Sequence, residues 1–157
     1  TELHRLPVGQ GEILRNGTDV AILAIGATVA PALEAARELA ERGIDAAVAN
    51  ARYAKPLDAG LITDLADRVG RLVTVEDNTL SGGFGSSVAA LLESSGRCGV
   101  LVKSLGIPDE FVEHGTLAIL RQRYGLDAPG IARQVMALLA STGDSSLALQ
   151  QLSQGAP

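Results

Sequence analysis

Glu76, Asp77 and Asn78 stand side by side, and the run Gly82-Gly83-Phe84-Gly85 follows shortly after. Two chemistries suit such a set. Carboxylates and an amide oxygen are ligands for a hard cation. A glycine turn opening a helix can cradle a phosphate on backbone N–H groups. Each meets an objection. Neighbouring residues on an extended segment point to opposite faces, so all three reach one ion only through a sharp loop. Neither GxGxxG nor GxxxxGK[ST] occurs, and Glu76-Asp77 puts negative charge where a phosphate would have to come. The plainer roles are loop caps and interdomain hydrogen bonds for the polar residues and close backbone packing for the glycines. Arg52 and Lys55 are cations that could pair with the Glu76 loop, with the modest worth of a structural ion pair. His4 and His114 lie far apart without ligand spacing, and no Ser-His-Asp set is suggested. A single cysteine, Cys98, leaves no internal disulfide and no cysteine-based zinc site; it reads as a small residue beside a strand.

The elements around this stretch follow from periodicity. Leu72 to Val75 is a short apolar run rich in branched residues, which predicts a buried strand. Phe84, Val88, Leu91 and Leu92 then share a helical face. The prediction is therefore strand, polar loop at 76–78, glycine turn and helix. Upstream, Gly11 to Arg15 reads as a short strand and Val20 to Ile25 as a nearly all-apolar one. Asn16-Gly17 between them is a tight-turn signal that predicts an antiparallel pair. Thr28 is placed to cap a helix with Pro31 in its first turn, its apolar stripe running from Val29 to Ala40. Ile44 to Ala49 is a third strand, and Asp58 caps a helix that Gly70 stops. Val100 to Lys103 is the last strand. Thr116 opens a short helix closed by Gly125, and Asp127 opens a final one carrying Ile131, Val135, Leu138 and Leu139. Strands alternating with helices predict a three-layer α/β/α fold, with a mainly parallel sheet and the antiparallel first strand at its edge. The loops after parallel strands should gather at the carboxyl edge of the sheet.

Composition narrows the partners. The chain has 157 residues, enough for one well-packed domain. It is 46% hydrophobic and 20% charged, which reads as globular rather than disordered. The net charge is −5 with no basic run, which argues against a nucleic-acid surface. No apolar run reaches the roughly 18 residues of a membrane span, and the first residues do not form a signal peptide. A reducing cytoplasm is the expectation. The chain starts without methionine in sequence that reads as mid-protein, which points to a fragment or a domain. Residues 1–10 read as a lead-in from an upstream domain, 11–140 as the domain, and 141–157 as a polar tail in which Leu147, Leu149 and Leu152 could dock weakly.

Six segments, in this order, carry a resemblance: Leu6-Pro7-Val8-Gly9-Gln10-Gly11, Arg52-Tyr53-Ala54-Lys55-Pro56-Leu57-Asp58, Val73-Thr74-Val75-Glu76-Asp77-Asn78, Gly82-Gly83-Phe84-Gly85-Ser86, Gly106-Ile107-Pro108-Asp109-Glu110-Phe111 and Tyr124-Gly125-Leu126-Asp127. From about residue 5 to 140 the chain resembles the C-terminal domain of the 1-deoxy-D-xylulose-5-phosphate synthase family, thiamine-diphosphate enzymes of the transketolase group. The Lys-Pro-Leu-Asp and Val-Glu-x-Asn motifs indicate the wider group; Gly-Ile-Pro-Asp-x-Phe and Tyr-Gly-Leu-Asp point to the synthase. The tail after Ser141 resembles nothing.

The resemblance implies a five-stranded sheet with helices on both faces. It implies a homodimeric parent that joins pyruvate to glyceraldehyde 3-phosphate with loss of carbon dioxide, supplying isoprenoid, thiamine and pyridoxal synthesis. That parent needs thiamine diphosphate and Mg2+, held between N-terminal and middle domains absent from this chain, so none is expected on this piece. The family's Gly-Asp-Gly motif with its downstream paired asparagines is missing, and no catalytic residue carries over. A cytoplasmic location is implied, or a plastid one in a plant or alga. The expected role is non-catalytic assembly, with Arg52, Lys55, Glu76, Asp77, Asn78, Gly82, Gly83, Gly85 and Asp109 as candidate interdomain or dimer contacts. Two other readings stand beside it: the same domain from another transketolase-like or 2-oxoacid dehydrogenase E1 enzyme, or a stand-alone module binding a small ligand or a protein.

Overall fold

Five strands and five α-helices alternate in the structure, a computed structural model that describes residues 5–141. The strands are β1 (Glu12–Arg15), β2 (Val20–Ala24), β3 (Ala46–Asn50), β4 (Arg71–Thr79) and β5 (Leu101–Ile107). The helices are α1 (Val29–Ala40), α2 (Ala59–Val69), α3 (Phe84–Ser94), α4 (Leu117–Tyr124) and α5 (Ala128–Ser141). A single 3-10 turn, Gly26–Thr28, leads into α1. The sheet order is β1-β3-β2-β4-β5, with β1 antiparallel and the other pairs parallel. The expected three-layer fold with an antiparallel edge strand is what forms. The tail beyond Ser141 lies outside the described residues.

Alternation along each strand assigns the layers. Val20, Ile22, Ala24, Val48, Val73 and Val75 face α1 and α5 in one core. Ala21, Leu23, Ala47, Ala49 and Leu72 face α2 and α3 in the other. All of β2 is buried, because the central strand is covered on both sides. Alanines at 32, 35 and 36 carry little bulk, which lets α1 sit close on the sheet. Each fully buried leucine or isoleucine in these layers contributes about 1.5–3 kcal/mol relative to exposure.

The Asn16-Gly17 segment does not join a hairpin. β1 pairs with β3, Glu12 opposite Asn50, and β2 lies on the far side of β3. The segment instead crosses the amino end of β3. Thr18 and Asp19 both donate their backbone N–H to the Asp45 carbonyl at 3.0 Å, and the Asp45 N–H returns a bond to Asp19 Oδ2 at 2.7 Å. Gly17 is required there because a Cβ would run into the Ala46-Ala47 backbone.

β4 and β5 are longer than expected. β4 continues through the polar residues to Thr79, and β5 continues to Ile107. Backbone pairing is indifferent to side-chain polarity: Thr79 lies opposite Ile107, and the Leu80 N–H donates to the Ile107 carbonyl at 2.9 Å. The register slips between Val75 and Thr79. Residues 76–78 are therefore an irregular strand rather than a loop. Thr28 also differs from expectation, since it makes no side-chain cap on α1. Its hydroxyl lies 2.9 Å from both the Ile25 and Val75 carbonyls, and its one proton binds the turn to β4.

Candidate functional site

The carboxyl edge of the sheet collects the polar residues singled out above, and β4 divides them between its two sides. Glu76 continues the Leu72 and Thr74 side, toward α3. It is 2% exposed, and its two carboxylate oxygens accept the backbone N–H groups of Phe84 and Gly85, each at 2.8 Å. The first residue before α3, Gly83, has no side chain to offer, so Glu76 supplies the missing cap from the adjacent strand. A carboxylate at a helix N-terminus also meets the positive end of the helix dipole. Burial of this charge is thus compensated by two charge-assisted bonds.

This arrangement needs glycine twice. A Cβ at Gly83 would collide with the Thr79 carbonyl and the Glu76 carboxylate. One at Gly85 would lie 2.5 Å from Ser104 Oγ and Thr74 Oγ1. Gly82 differs: it sits at φ +72 in open space, where its backbone conformation and not its size matters. The expected close-packing role therefore holds for Gly83 and Gly85.

Asp77 emerges on the Val73 and Val75 side, where α4 lies. Its Oδ2 is 3.5 Å from Arg121 Nη2. Sequence reasoning missed Arg121, because nothing local links residue 121 to residue 77. Arg121 Nε and Nη2 are buried without a hydrogen-bond partner. They border an open hollow of about 400 Å³ between α1, α4 and α5, whose lining also includes Glu34 and Asp127. Two carboxylates beside one guanidinium do not select an anion.

The expected pairing of Arg52 and Lys55 with Glu76 does not occur. Glu76 is spent on α3, Arg52 pairs with Glu12 on the neighbouring edge strand, and Lys55 is exposed. Arg52 adopts φ +57, rare for a residue with a side chain, and its N–H donates to Asn50 Oδ1 at 3.0 Å. Beside it, Asp58 does two jobs. Its Oδ1 caps α2 at the Leu61 N–H, 3.0 Å away, and its Oδ2 accepts the Gly11 N–H at 2.8 Å. The lead-in chain is thereby fixed to the carboxyl edge.

Of the candidate contacts, Glu76, Gly83 and Gly85 are buried and cannot present a surface. Arg52 is half-buried, while Lys55, Asp77, Asn78, Gly82 and Asp109 are exposed at the edge. His114 is exposed, as expected of a loop residue, and Cys98 is exposed with a free thiol. Among the described residues no group of three or more His, Cys, Asp or Glu side chains could hold a metal ion. Nor is any helix among them long and apolar enough to cross a membrane.

This sheet order, with its carboxyl-edge glycine turn and buried glutamate, belongs to a known domain class. Residues 9–131 match the family described as transketolase, C-terminal domain, and the chain belongs to that family. The curated proteins that it resembles include 1-deoxy-D-xylulose-5-phosphate synthases. It is 55% identical over 151 residues to 1-deoxy-D-xylulose-5-phosphate synthase 1 of Geobacter sulfurreducens, covering 96% of this chain and 24% of that protein. The synthase of Heliobacterium modesticaldum is 49% identical over 157 residues, 99% of this chain and 24% of that protein. A solved structure of a split-gene transketolase, described as an inactive beta4 tetramer, superposes with a TM-score of 0.78 at 36% identity, covering 87% of this chain and 43% of that one. The chain thus spans about a quarter of the length of these synthases.

Proposed function

We propose that the chain is the non-catalytic C-terminal domain of a 1-deoxy-D-xylulose-5-phosphate synthase, and that it serves the assembly of that enzyme. The carrying observation is the 55% identity over nearly the whole chain to a quarter of such a synthase. The parent would be a homodimeric, cytoplasmic transferase joining pyruvate to glyceraldehyde 3-phosphate, with thiamine diphosphate and Mg2+, for isoprenoid, thiamine and pyridoxal synthesis. The residues of this domain do not fit that cofactor. The glycine turn that opens α3 is already closed by the Glu76 carboxylate, which stands where a diphosphate would sit. No step of the reaction is therefore assigned to this chain. The exposed residues Lys55, Asp77, Asn78, Gly82 and Asp109, with half-buried Arg52, are the proposed polar contacts with neighbouring domains or a second subunit.

Likeness to a split-gene transketolase favours a second arrangement, with the catalytic domains on a separate chain. One experiment addresses both. The open reading frame containing this sequence is expressed in full and assayed for carbon dioxide release from pyruvate that depends on glyceraldehyde 3-phosphate. Turnover by the long protein is expected, with none from the 157-residue chain. Turnover that appears only on adding a separately encoded chain would favour the split arrangement. A long protein with cofactor and no turnover would reject the synthase reading. Titration of the 157-residue chain with thiamine diphosphate and Mg2+ should give no saturable heat.

A further inference from the structure

The helix α4 stands away from the body of the domain. Ala118, Arg121 and Gln122 recur at three- and four-residue spacing, so they share one side of the helix. That side lines the hollow together with Ala30 and Pro31 of α1 and Ala128 of α5. Ala118 and Gln122 are nevertheless exposed, and no residue of α4 is fully buried. A helix packed on its neighbours would sit about 8–10 Å from their axes and exclude water from this side.

The guanidinium of Arg121 reaches inward and is poorly served there. Nε and Nη2 are buried without a hydrogen-bond partner. Asp77 Oδ2, at 3.5 Å, is an ion pair but lies beyond the roughly 2.7–2.9 Å of a charge-assisted bond. A buried donor left unmet is costly. Two carboxylates line the same hollow. Asp127 is committed, because its Oδ1 accepts the Gly130 N–H at 3.0 Å. Glu34 is exposed and unpaired among the described residues.

The stretch that carries α4 is built to move as one piece. Its bonds are mostly internal: the Tyr124 hydroxyl donates to Glu110 at 2.9 Å, Arg123 donates to Glu113 at 2.7 Å, and Thr116 caps the helix at the Ile119 N–H. Among the described residues, its one side-chain polar link to the rest of the fold is Arg121 with Asp77. Of its apolar side chains, Tyr124 packs on the core, at the end where the chain leaves α4. Both ends are anchored, since the Ile107 carbonyl accepts the Leu80 N–H and Leu126 is buried. Beside the second anchor Gly125 takes φ +66, a left-handed conformation suited to glycine.

We propose that residues 108–125 form a flap that swings inward about these two ends. In the inward position α4 fills the hollow against α1 and α5, and Arg121 exchanges Asp77 for Glu34. One ion pair is traded for another, which keeps the two positions close in free energy. The exchange also frees Asp77 at the edge proposed for contacts with neighbouring domains. That last consequence alone rests on the functional reading above.

The test uses the 157-residue chain with Cys98→Ser, spin-labelled at Glu41→Cys beyond the end of α1 and at Ile119→Cys on α4. Pulsed dipolar spectroscopy should give two distances, the shorter from the inward flap. Glu34→Gln removes the inward partner and Ala30→Phe fills the hollow; each should abolish the shorter distance. Both positions are exposed, so neither change threatens the fold. A single distance without these substitutions, or a shorter one that survives either of them, would overturn the proposal. Labels within the flap, at Phe111→Cys and Ile119→Cys, should keep one distance throughout. Two distances there would mean that the segment rearranges internally instead of swinging, which also overturns it. Turnover by the long protein decides the synthase reading separately, because the spin-label distances do not depend on it.

Discussion

Glu76 Oε2 lies 2.8 Å from the backbone N–H of Phe84, although the two residues sit on different elements of the fold. With its other oxygen on Gly85, the same side chain holds the first turn of α3 to the end of β4. Removing the carboxylate leaves two buried donors unmet. Glu76→Ala should therefore lower unfolding free energy by about 2–4 kcal/mol, in the range for lost bonds to a charged group plus an unsatisfied pair. Glu76→Gln keeps one acceptor and should cost roughly half as much. Urea unfolding of the three proteins measures this; equal midpoints would refute the capping role.

The glycines separate size from conformation. Gly83→Ala and Gly85→Ala force a methyl into backbone, carboxylate or hydroxyl oxygens, and each should cost about 1–3 kcal/mol or more. Gly82→Ala meets open space and should cost only the left-handed backbone penalty, about 1–2 kcal/mol. Thermal melting should rank Gly82→Ala as the mildest. A Gly85→Ala protein as stable as the parent would mean that α3 shifts freely on the sheet.

Asp77 and Arg121 tie α4 to β4, and no residue of α4 is fully buried. Asp77→Asn should leave global melting nearly unchanged while freeing the helix locally. Hydrogen exchange read by mass spectrometry should speed in residues 117–124 and stay constant in β2. Unchanged exchange in α4 would show that the Glu113–Arg123 and Glu110–Tyr124 bonds suffice.

The Asp67 carboxylate accepts two bonds from Arg97, at 2.8 and 2.7 Å. These bonds hold the carboxyl below its ordinary value of 3.8. Folding thus favours the ionised form. The contribution is complete above the unfolded value and is lost as pH falls through the lower folded one. The stability gap between the parent and Asp67→Asn should be small at neutral pH and should close as the medium is acidified below that ordinary value. Both groups face solvent, so salt near ~1 M should also narrow the gap. A gap that widens with acid would mean the pair is not formed.

Local signals in the sequence were reliable where one residue decides one terminus. Asp58 and Thr116 cap their helices, Gly70 and Gly125 end theirs, and Val20–Ala24 is the buried centre. The partner of β1 was not legible, because the order of strands is set by packing across the whole sheet. A turn signal such as Asn16-Gly17 reports only that the chain bends. Glu76 misled for a different reason. Carboxylates are rarely buried, and only the alternation Leu72, Thr74, Glu76 carried into a strand would have pointed it at α3. Arg121 left no trace at all, because its partner lies far away in sequence.

The paired hydrogen bonds of Asp58 to Gly11 and Leu61 decide how force enters this domain. A pull on the chain at Leu6 is delivered to the first turn of α2 and the end of β3 before it reaches the β1 ladder. β1 is a short outer strand that would otherwise peel away one bond at a time, starting at Glu12. With its top end riveted, it is loaded in shear along its length, and its rungs must break together. Any swivelling of a part attached ahead of this domain is checked at Gly11, where Asp58 holds the chain. The joint turns there like a universal coupling on a fixed shaft.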